Sequence, residues 1–461
     1  MLIRNATLAD GRRRDVRIEG ERIDAVARRL SIAGDEAERN GQGGTRPAGK
    51  ENEGGTRGGE TVVNATGKLL LPGMIDVHVH AREPGFPWKE TWESLGKSAA
   101  AGGVTTVVDQ PNTDPPTING EAFDAKTDLA ERSLVDYGIN GGVTTEWNPD
   151  ELLKRPLFAL GEAFLADSTG EMGIDAELFE RAVREANDRG IAVTVHAEDA
   201  SLFDEDARDR DDPDAWSAFR TAEAEVEAIE RACAVGDRLG ARLHIAHTST
   251  PEGIDRAGEH GMTCEVTPHH LFLSRADLDG LGTYGRMNPP LRRETRRRAV
   301  FERVADGTVD VIATDHAPHT RAEKEEGSVW DAPSGVPGVE TALPLLLAAA
   351  RRGELSYERV RDLTATNPAS VFDLPRKGRI EAEKHADLVL VDPDAGSEIR
   401  GQDLHSKAGW TPFEGFDGVF PEWTMVRGRV VYEPAGIDGD GSEGDSGGER
   451  FGEASGENVR Q

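Results

Sequence analysis

The chain has 461 residues, and its 54 Lys and Arg residues against 85 Asp and Glu residues give a formal net charge of -31 at pH 7. Such an acidic surface repels nucleic acids and anionic membranes, and no apolar run is long enough to span a bilayer, so neither is an expected partner. Abundant carboxylates and a preference for Arg over Lys are typical of proteins from salt-loving organisms, in which salt screens self-repulsion.

The termini and cysteines indicate the compartment. Because the N-terminal residues lack a basic start followed by an apolar segment, we expect a cytoplasmic protein. The two cysteines, Cys233 and Cys264, are too few for a disulfide framework, and we expect both to be buried thiols.

The first 67 residues predict a small β domain with an insertion. Residues 1–30 alternate apolar and polar positions around Asp10-Gly11 and Glu19-Gly20, as short strands joined by turns do. Residues 31–60 are rich in Gly, Glu and Arg with few apolar side chains, which predicts a disordered insertion. The strand pattern resumes at Thr61.

The central residues 68–377 predict a (β/α)₈ barrel of the TIM type, an α/β fold. Buried strands are expected at residues 104–109, 157–160, 191–196, 242–247 and 309–315, alternating with Ala-, Glu- and Arg-rich helices. Strand patterns return over residues 378–435, starting at Gly378-Arg-Ile, and we expect them to join the N-terminal strands in one discontinuous β-sandwich domain. Residues 436–461, rich in Gly, Ser, Glu and Asp, are expected to form a disordered acidic tail.

The run Asp76-Val-His-Val-His80-Ala-Arg-Glu-Pro-Gly85 has the pattern of half a metal site. On a strand, His78 and His80 project from the same face, where imidazoles can hold zinc or a similar ion. Asp76 is expected to orient the first of them.

Further metal-type residues follow at predicted strand ends: Glu162 with Asp167, His196, His247, and Asp315 with His319. Each alone could be a helix cap or an ordinary hydrogen-bonding residue, and His244, deeper in its strand, could be a core histidine. Their recurrence with strand and helix spacing favours a metal site.

The order of these motifs resembles the amidohydrolase superfamily, in particular its cyclic amidases: dihydroorotases, allantoinases and hydantoinases. The resemblance implies one or two zinc ions per subunit, the first held by His78, His80 and Asp315 and the second by His196 and His247. The metal would supply a hydroxide nucleophile at neutral pH, and Asp315 would be the catalytic residue that moves the proton.

Many relatives bridge their metals with a carboxylated lysine, and this chain departs from that pattern. The nearby Lys154 precedes the predicted strand instead of ending it. The resemblance therefore implies a carboxylate in its place, Glu162 in the first instance and Asp167 as the alternative.

The decapeptide is most similar to the signature of the class I dihydroorotase family, in which the arginine binds a substrate carboxylate. A guanidinium fork matches a carboxylate, whereas neutral cyclic amides do not require one. The resemblance gives the same task as Arg82 to Asn112 and His319. It assigns the ring amides to Asn288 and to the backbone near Gly335 and Gly338.

Without the resemblance, these residues have simpler interpretations. Arg82 would be a surface ion-pair partner, the two asparagines would be turn residues beside prolines, and the glycines would be loop hinges. His269 and His270 could shape a pocket or pack in the core.

The implied reaction is the reversible cyclisation of N-carbamoyl-L-aspartate to L-dihydroorotate and water in pyrimidine biosynthesis. Homo-oligomerisation and association with aspartate transcarbamoylase stay open. The alternatives are an allantoinase or hydantoinase-type amidase, a carbamoylase or deacetylase, and a non-catalytic scaffold for aspartate transcarbamoylase. Such scaffolds typically lose metal ligands, whereas this chain keeps the principal set.

Overall fold

The computed structural model describes residues 1–32, 55–57, 59–165, 172–434 and 448–461. Six strands precede the barrel: β1 Leu2–Leu8, β2 Arg13–Glu19, β3 Arg22–Ala27, β4 Gly55–Arg57, β5 Glu60–Asn64 and β6 Leu69–Pro72. Eight strands in the described residues then form it: β7 Met74–Val79, β8 Val104–Asp109, β9 Asp136–Ile139, β10 Leu160–Phe164, β11 Val193–His196, β12 Leu243–Ile245, β13 Thr263–Val266 and β14 Val311–Ile312. The last six are β15 Leu388–Val391, β16 Ser397–Glu398, β17 Asp417–Gly418, β18 Pro421–Val426, β19 Arg429–Glu433 and β20 Arg450–Phe451.

Helices alternate with the barrel strands. In chain order they are α1 Trp92–Ala101, α2 Gly120–Ala130, α3 Pro149–Leu152, α4 Ala176–Asn187, α5 Ala215–Phe219, α6 Ala222–Leu239, α7 Pro251–Glu259, α8 Pro268–Phe272, α9 Leu278–Leu281, α10 Glu294–Asp306, α11 Arg321–Lys324, α12 Ala342–Arg351, α13 Tyr357–Arg361 and α14 Asn367–Val371. None of the helices in the described ranges is long and apolar enough to cross a membrane.

The barrel closes through parallel pairing all the way round. Strands β7 to β9 and β10 to β14 pair in sequence order. Bridges from Gly141 to Leu160 and from Val79 to His316 join the two groups into a ring. Strands such as β8 are buried at every residue, as expected for a parallel sheet covered by helices.

The smaller β domain is built from both ends of the chain. Its main sheet has the order β20-β19-β18-β15-β6-β1-β2-β3, with β5 beside β1 and β4 beside β5. The sheet is mixed, because β6 runs parallel to β1 and antiparallel to β15. The predicted α/β class, a (β/α)₈ barrel with a small discontinuous β domain, is therefore confirmed.

Several local predictions were wrong. Strand β10 begins at Leu160, where the predicted strand ends, and β9 was not predicted. Residues 378–380 form no strand, and β6 lies in the small sheet instead of the barrel. Strand β4 and the first residue of β5 lie inside the expected disordered insertion, whose residues 33–54 and 58 fall outside the described residues.

The end of the acidic tail also differs from the prediction of disorder. Residues 448–461 pack against both parts of the structure, since β20 pairs with β19 in the small sheet and Asn458 forms a bridge with Tyr137 in the barrel. The Arg460 guanidinium donates to the carbonyl of Phe372 at 2.6 Å. The predicted burial of Cys233 and Cys264 is confirmed.

Candidate active site

The carboxyl ends of the barrel strands carry a cluster of buried imidazoles and carboxylates. The described structure brings together all six predicted metal ligands: His78, His80, Glu162, His196, His247 and Asp315. Each is at least nine-tenths buried. This is the face on which barrel enzymes hold their reacting groups.

Glu162 lies at the centre of the cluster. Its Oε1 atom is 2.6 Å from His247 Nε2 and 3.1 Å from His196 Nδ1, and its Oε2 atom is 3.4 Å from His78 Nε2. Two sets of three candidate ligands, one with His78 and His80 and one with His196 and His247, share this carboxylate. Glu162 therefore has the position that a bridging ligand requires.

A glycine precedes Glu162 because the backbone of β10 passes close to β11. Gly161 has φ = 137°, and a Cβ atom there would lie 2.3 Å from the carbonyl oxygen of Thr194. Three non-glycine residues of the site also have φ angles in the left-handed region: Arg82 (65°), His247 (31°) and Asp315 (47°). Backbone conformations of this kind concentrate at functional sites, where the surrounding structure enforces them.

The outer nitrogens of three histidines are held by acceptors. His78 Nδ1 donates to Glu265 at 2.6 Å, His80 Nδ1 to Asn112 at 2.8 Å, and His196 Nε2 to Glu198 at 2.8 Å. Because each of these three nitrogens carries the proton of its ring, the other nitrogen of each ring carries a lone pair and faces the cluster.

His78 Nε2 tests whether these residues fit a metal ion. It is buried and has no hydrogen-bond partner among the described residues, although Glu162 and Asp315 oxygens lie 3.4 and 3.5 Å away. A buried nitrogen left in this state is costly, and a cation would satisfy it. Imidazole nitrogens with carboxylate oxygens are a donor set that suits zinc, so the residues fit a divalent metal.

The carboxylates of the cluster are ionised. Burial opposes ionisation of Glu162, but His78 and His247 hold its pKa well below its ordinary value. Burial also opposes ionisation of Asp315, and the neighbouring rings of His80 and His78 hold its pKa below the ordinary range. Both acids thus carry the charge that a divalent cation needs in its ligands.

A polar pocket opens beside the cluster. It is lined by His80, Arg82, Asn112, Glu162, Phe164, His196, His247, Asn288, Asp315, Ala317, Ser334 and Gly335. Arg82 is 4% exposed, and burial lowers its pKa to about 10, so the guanidinium remains charged at neutral pH.

His319 lies beside Arg82, and its neighbours fix its hydrogen-bonding roles. Lys89 Nζ lies 3.1 Å from His319 Nδ1, and because an ammonium can only donate, that ring nitrogen must accept. His319 Nε2 therefore carries the proton and donates it to the carbonyl oxygen of Ser334 at 2.9 Å, with Arg82 Nη2 3.2 Å away. The buried guanidinium of Arg82 suits the two oxygens of a carboxylate.

Comparison with known proteins identifies the family. The model of the amidohydrolase family matches residues 69–431. The chain belongs to the amidohydrolase family. A dihydroorotase of Halobacterium salinarum is 62% identical over 434 residues, which cover 94% of this chain and 96% of the relative.

More distant relatives cover most of this amidohydrolase as well. A dihydroorotase of Methanosarcina mazei is 45% identical over 81% of this chain and 86% of its own length. Among solved structures, an L-hydantoinase (dihydropyrimidinase) from Arthrobacter aurescens is 26% identical, with a TM-score of 0.85 over 99% of this chain and 98% of its own.

The structure of this amidohydrolase does not bring every predicted residue to the pocket. Gly335 lines it, whereas the Gly338 amide donates to His316 Nδ1 at 3.1 Å, outside the lining. Asp167 lies outside the described residues. His244 is bonded to Glu265 and Thr263, as a core histidine would be.

Sequence reasoning missed several partners of the site. Asp76 does not hold the His78 ring, because its carboxylate accepts from the backbone of His78 and from Thr314 instead. The ring partner is Glu265, whose only sequence signal is an acid within an otherwise apolar strand. Glu198 offered a similar signal two residues after His196, and Lys89 and Phe164 offered none.

One other group of potential ligands exists in the described residues. Asp136, His385 and Asp387 lie close together at the opposite end of the barrel. The ammonium of Lys377 lies 2.7 Å from each of the two aspartates, and Arg427 Nε lies 3.1 Å from Asp136, so two cations balance the two carboxylates. This group is a structural ion-pair cluster joining β9 to the small β domain.

Proposed function

We propose that this amidohydrolase is a dihydroorotase, which interconverts L-dihydroorotate and N-carbamoyl-L-aspartate. The observation that carries the proposal is the buried, charged guanidinium of Arg82, which lines the same pocket as five of the six candidate metal ligands and has His319 beside it at 3.2 Å. A guanidinium fits an acid substrate better than it fits the neutral rings of allantoin or hydantoin. The 62% identical relative from H. salinarum supports the same reaction.

The proposed metal ligands are the six clustered residues, with Glu162 between the two positions. A bound metal ion would supply an activated water as nucleophile and polarise the scissile amide carbonyl. Asp315, ionised and with its Oδ1 atom 2.9 Å from His80 Nε2, is the proposed catalytic base. Its carboxylate would take a proton from the attacking water and deliver it to the leaving ring nitrogen.

The proposed binding residues orient the substrate by its carboxylate. Arg82 donates to it, and His319 Nε2 would share its proton between the substrate and the Ser334 carbonyl oxygen. Asn112 adds its amide nitrogen, because its amide oxygen is occupied by His80. Asn288 and the backbone at Gly335 contact the ring in this proposal, while Gly338 acts through the His316 contact. Three fixed donors hold the ring in register with the reacting groups.

The proposal extends to zinc as the metal, to pyrimidine biosynthesis as the pathway and to a high-salt cytoplasm as the setting. Zinc is supported by the imidazole and carboxylate donor set. The setting is supported by the net charge of -31 and by the relative from Halobacterium. Homo-oligomerisation and association with aspartate transcarbamoylase stay predictions, which sedimentation of the protein alone and with that enzyme would test.

The first test replaces the carboxylate-binding arginine. We expect Arg82→Met to lower kcat/KM for L-dihydroorotate by about a hundredfold, because a buried charge-assisted bond is lost. Arg155→Met is the control, since Arg155 pairs with Asp124 on the surface. Turnover of allantoin or hydantoin by the wild type, with none of L-dihydroorotate, would contradict the proposal.

The second test measures zinc per chain after reconstitution. Glu162→Ala should bind less zinc than the wild type, because the carboxylate shared by the two ligand sets is gone. Asp167→Ala should bind as much as the wild type. Full zinc content in the first variant and a loss in the second would transfer the bridging role to Asp167.

A further inference from the structure

A fully buried lysine lies behind the wall of the substrate pocket. Lys324 is the last residue of α11, the short helix that begins two residues after His319. Its Nζ atom lies 3.0 Å from the carbonyl oxygen of Arg286, 2.9 Å from that of Pro333 and 3.2 Å from that of Gly335. The Arg286 carbonyl also accepts the N–H of Gly335 at 3.0 Å. One side chain thus connects three separate segments of backbone.

The number of acceptors determines the protonation state of this amine. A neutral amine has two N–H groups and a lone pair, and the lone pair would face one of the three carbonyl oxygens. An ammonium has three N–H groups, one for each oxygen. Burial lowers the pKa of Lys324 well below its ordinary value, whereas the three carbonyls and the ring of Trp410, 5.7 Å away, stabilise the charged form. Lys324 is therefore a cation that gives all three of its protons to the backbone.

Lys324 and His319 together fix three consecutive carbonyls of one loop. The carbonyls of Pro333 and Gly335 accept from Lys324, and the carbonyl of Ser334, between them, accepts from His319 Nε2 at 2.9 Å. Ser334 and Gly335 line the substrate pocket, whereas Lys324 lies outside the lining. The orientation of the pocket-lining backbone therefore depends on a side chain behind it.

We propose that Lys324 is a positioning residue that orients the backbone of Ser334 and Gly335 for the substrate ring before the substrate binds. This inference rests on the proposed function, in which that backbone contacts the ring, and deepens it. A loop that is already ordered lowers the entropic cost of binding. The same loop supplies the acceptor of His319 Nε2, so the lysine also acts on that proposed substrate-binding residue. The contacts of Lys324 are to the three carbonyls and to Trp410, none of which belongs to the metal cluster, so its effect should appear in substrate binding.

The kinetic test replaces the ammonium with an uncharged side chain of similar length. We expect Lys324→Met to raise KM for L-dihydroorotate about tenfold and to leave kcat within about twofold, because the substrate must then order the loop. Lys377→Met is the matched control, since that lysine is also buried but pairs with Asp136 and Asp387 at the opposite end of the barrel. The control should lose stability and keep the KM of the wild type.

Hydrogen exchange measures the loop directly and needs no substrate. In zinc-loaded Lys324→Met, the amides of residues 334–336 should exchange about tenfold faster than in the wild type, because the loop opens more often. Lys377→Met should leave exchange at these residues unchanged. Lys324→Gln, whose amide can donate two hydrogen bonds, should fall between the wild type and Lys324→Met in both KM and exchange. Zinc per chain should be the same in all four proteins.

The outcomes separate the inference from the function beneath it. Unchanged KM or unchanged exchange in Lys324→Met would overturn the inference, as would an equal rise of KM in Lys377→Met. A loss of zinc together with kcat would also overturn it and assign Lys324 to the metal site. If Lys324→Met does not fold, Lys324→Gln decides by the same criteria. A zinc-loaded wild type without activity on L-dihydroorotate overturns the proposed function, and faster exchange in the variant would still show that Lys324 orders the loop.

Discussion

At the residue scale, the site depends on acceptors that hold the outer side of the ligand histidines. Glu265 is the most connected of them, with Oε1 at 2.6 Å from His78 Nδ1 and Oε2 at 3.0 Å from His244 Nε2. It also accepts the backbone N–H of His247 at 3.1 Å. One buried carboxylate thus orients residues of both ligand sets.

Substitution of this carboxylate should weaken metal binding. We expect Glu265→Gln to lower zinc affinity about 10- to 100-fold. The amide nitrogen of the new side chain cannot accept a hydrogen bond, so either the His78 ring or the His244 ring loses its acceptor. A competition titration with a chelator measures the affinity. Glu225→Gln is the control, since Glu225 is equally buried but contacts Ser249, Thr250 and Arg292. Equal affinities in the two variants would show that Glu265 has no such role.

At the scale of elements, a buried ion pair joins α2 to the end of β8. Lys126 Nζ lies 2.6 Å from Asp109 Oδ2 and 2.8 Å from the carbonyl oxygen of Gln110. Asp109 Oδ1 accepts the backbone N–H of Ala81 at 2.7 Å, next to Arg82. Both charged side chains are fully buried. The positions of α2, of the end of β8 and of the turn that carries Arg82 therefore depend on this one ion pair.

Loss of the lysine should destabilise the fold strongly. We expect Lys126→Met to reduce the free energy of unfolding by about 3–5 kcal/mol, because the Asp109 charge is left buried and unpaired. Lys97→Met, which breaks the exposed pair with Glu93, should cost about 0.5 kcal/mol or less. Urea unfolding of both variants measures the difference. Similar costs would mean that water or another group reaches Asp109.

At the scale of the whole molecule, the chain crosses between its two parts several times. The small sheet takes strands from both termini, and residues 448–461 pair with β19 and then reach Tyr137 in the barrel. We propose that residues 1–67 and 378–435 act as one β domain beside a barrel of residues 68–377, with β6 transferred to the β domain. The full chain carries a net charge of -31.

That charge predicts the response of stability to salt. The free energy of unfolding should rise as KCl increases from about 0.1 M to about 1 M, because the screening length falls from about 10 Å to about 3 Å and carboxylate repulsion weakens. Urea unfolding at each salt concentration measures the change, with sucrose at matched osmolarity as the control. A fall in stability with KCl would indicate that the surface ion pairs outweigh the repulsion.

The kinds of residue at the site and the type of fold follow from the amino-acid sequence alone. His78 and His80 alternate with valines, and His196 ends an apolar strand, so their placement follows from local strand geometry. The repeated strand and helix pattern predicts a barrel because each unit must bury an apolar face. Strand β9 escaped prediction, since Asp136-Tyr-Gly-Ile139 is too short and too mixed to give a period.

How these residues pair depends on the folded chain. The Glu265 partner of His78 is 187 residues away in the chain, and Trp216 meets Asn288 across 72 residues. Residues 448–461 are another example, because their polar composition predicts disorder although their backbone forms hydrogen bonds to the barrel. Residue types and local patterns can be read from the sequence, whereas a hydrogen bond between distant residues forms only after packing brings donor and acceptor within about 3 Å.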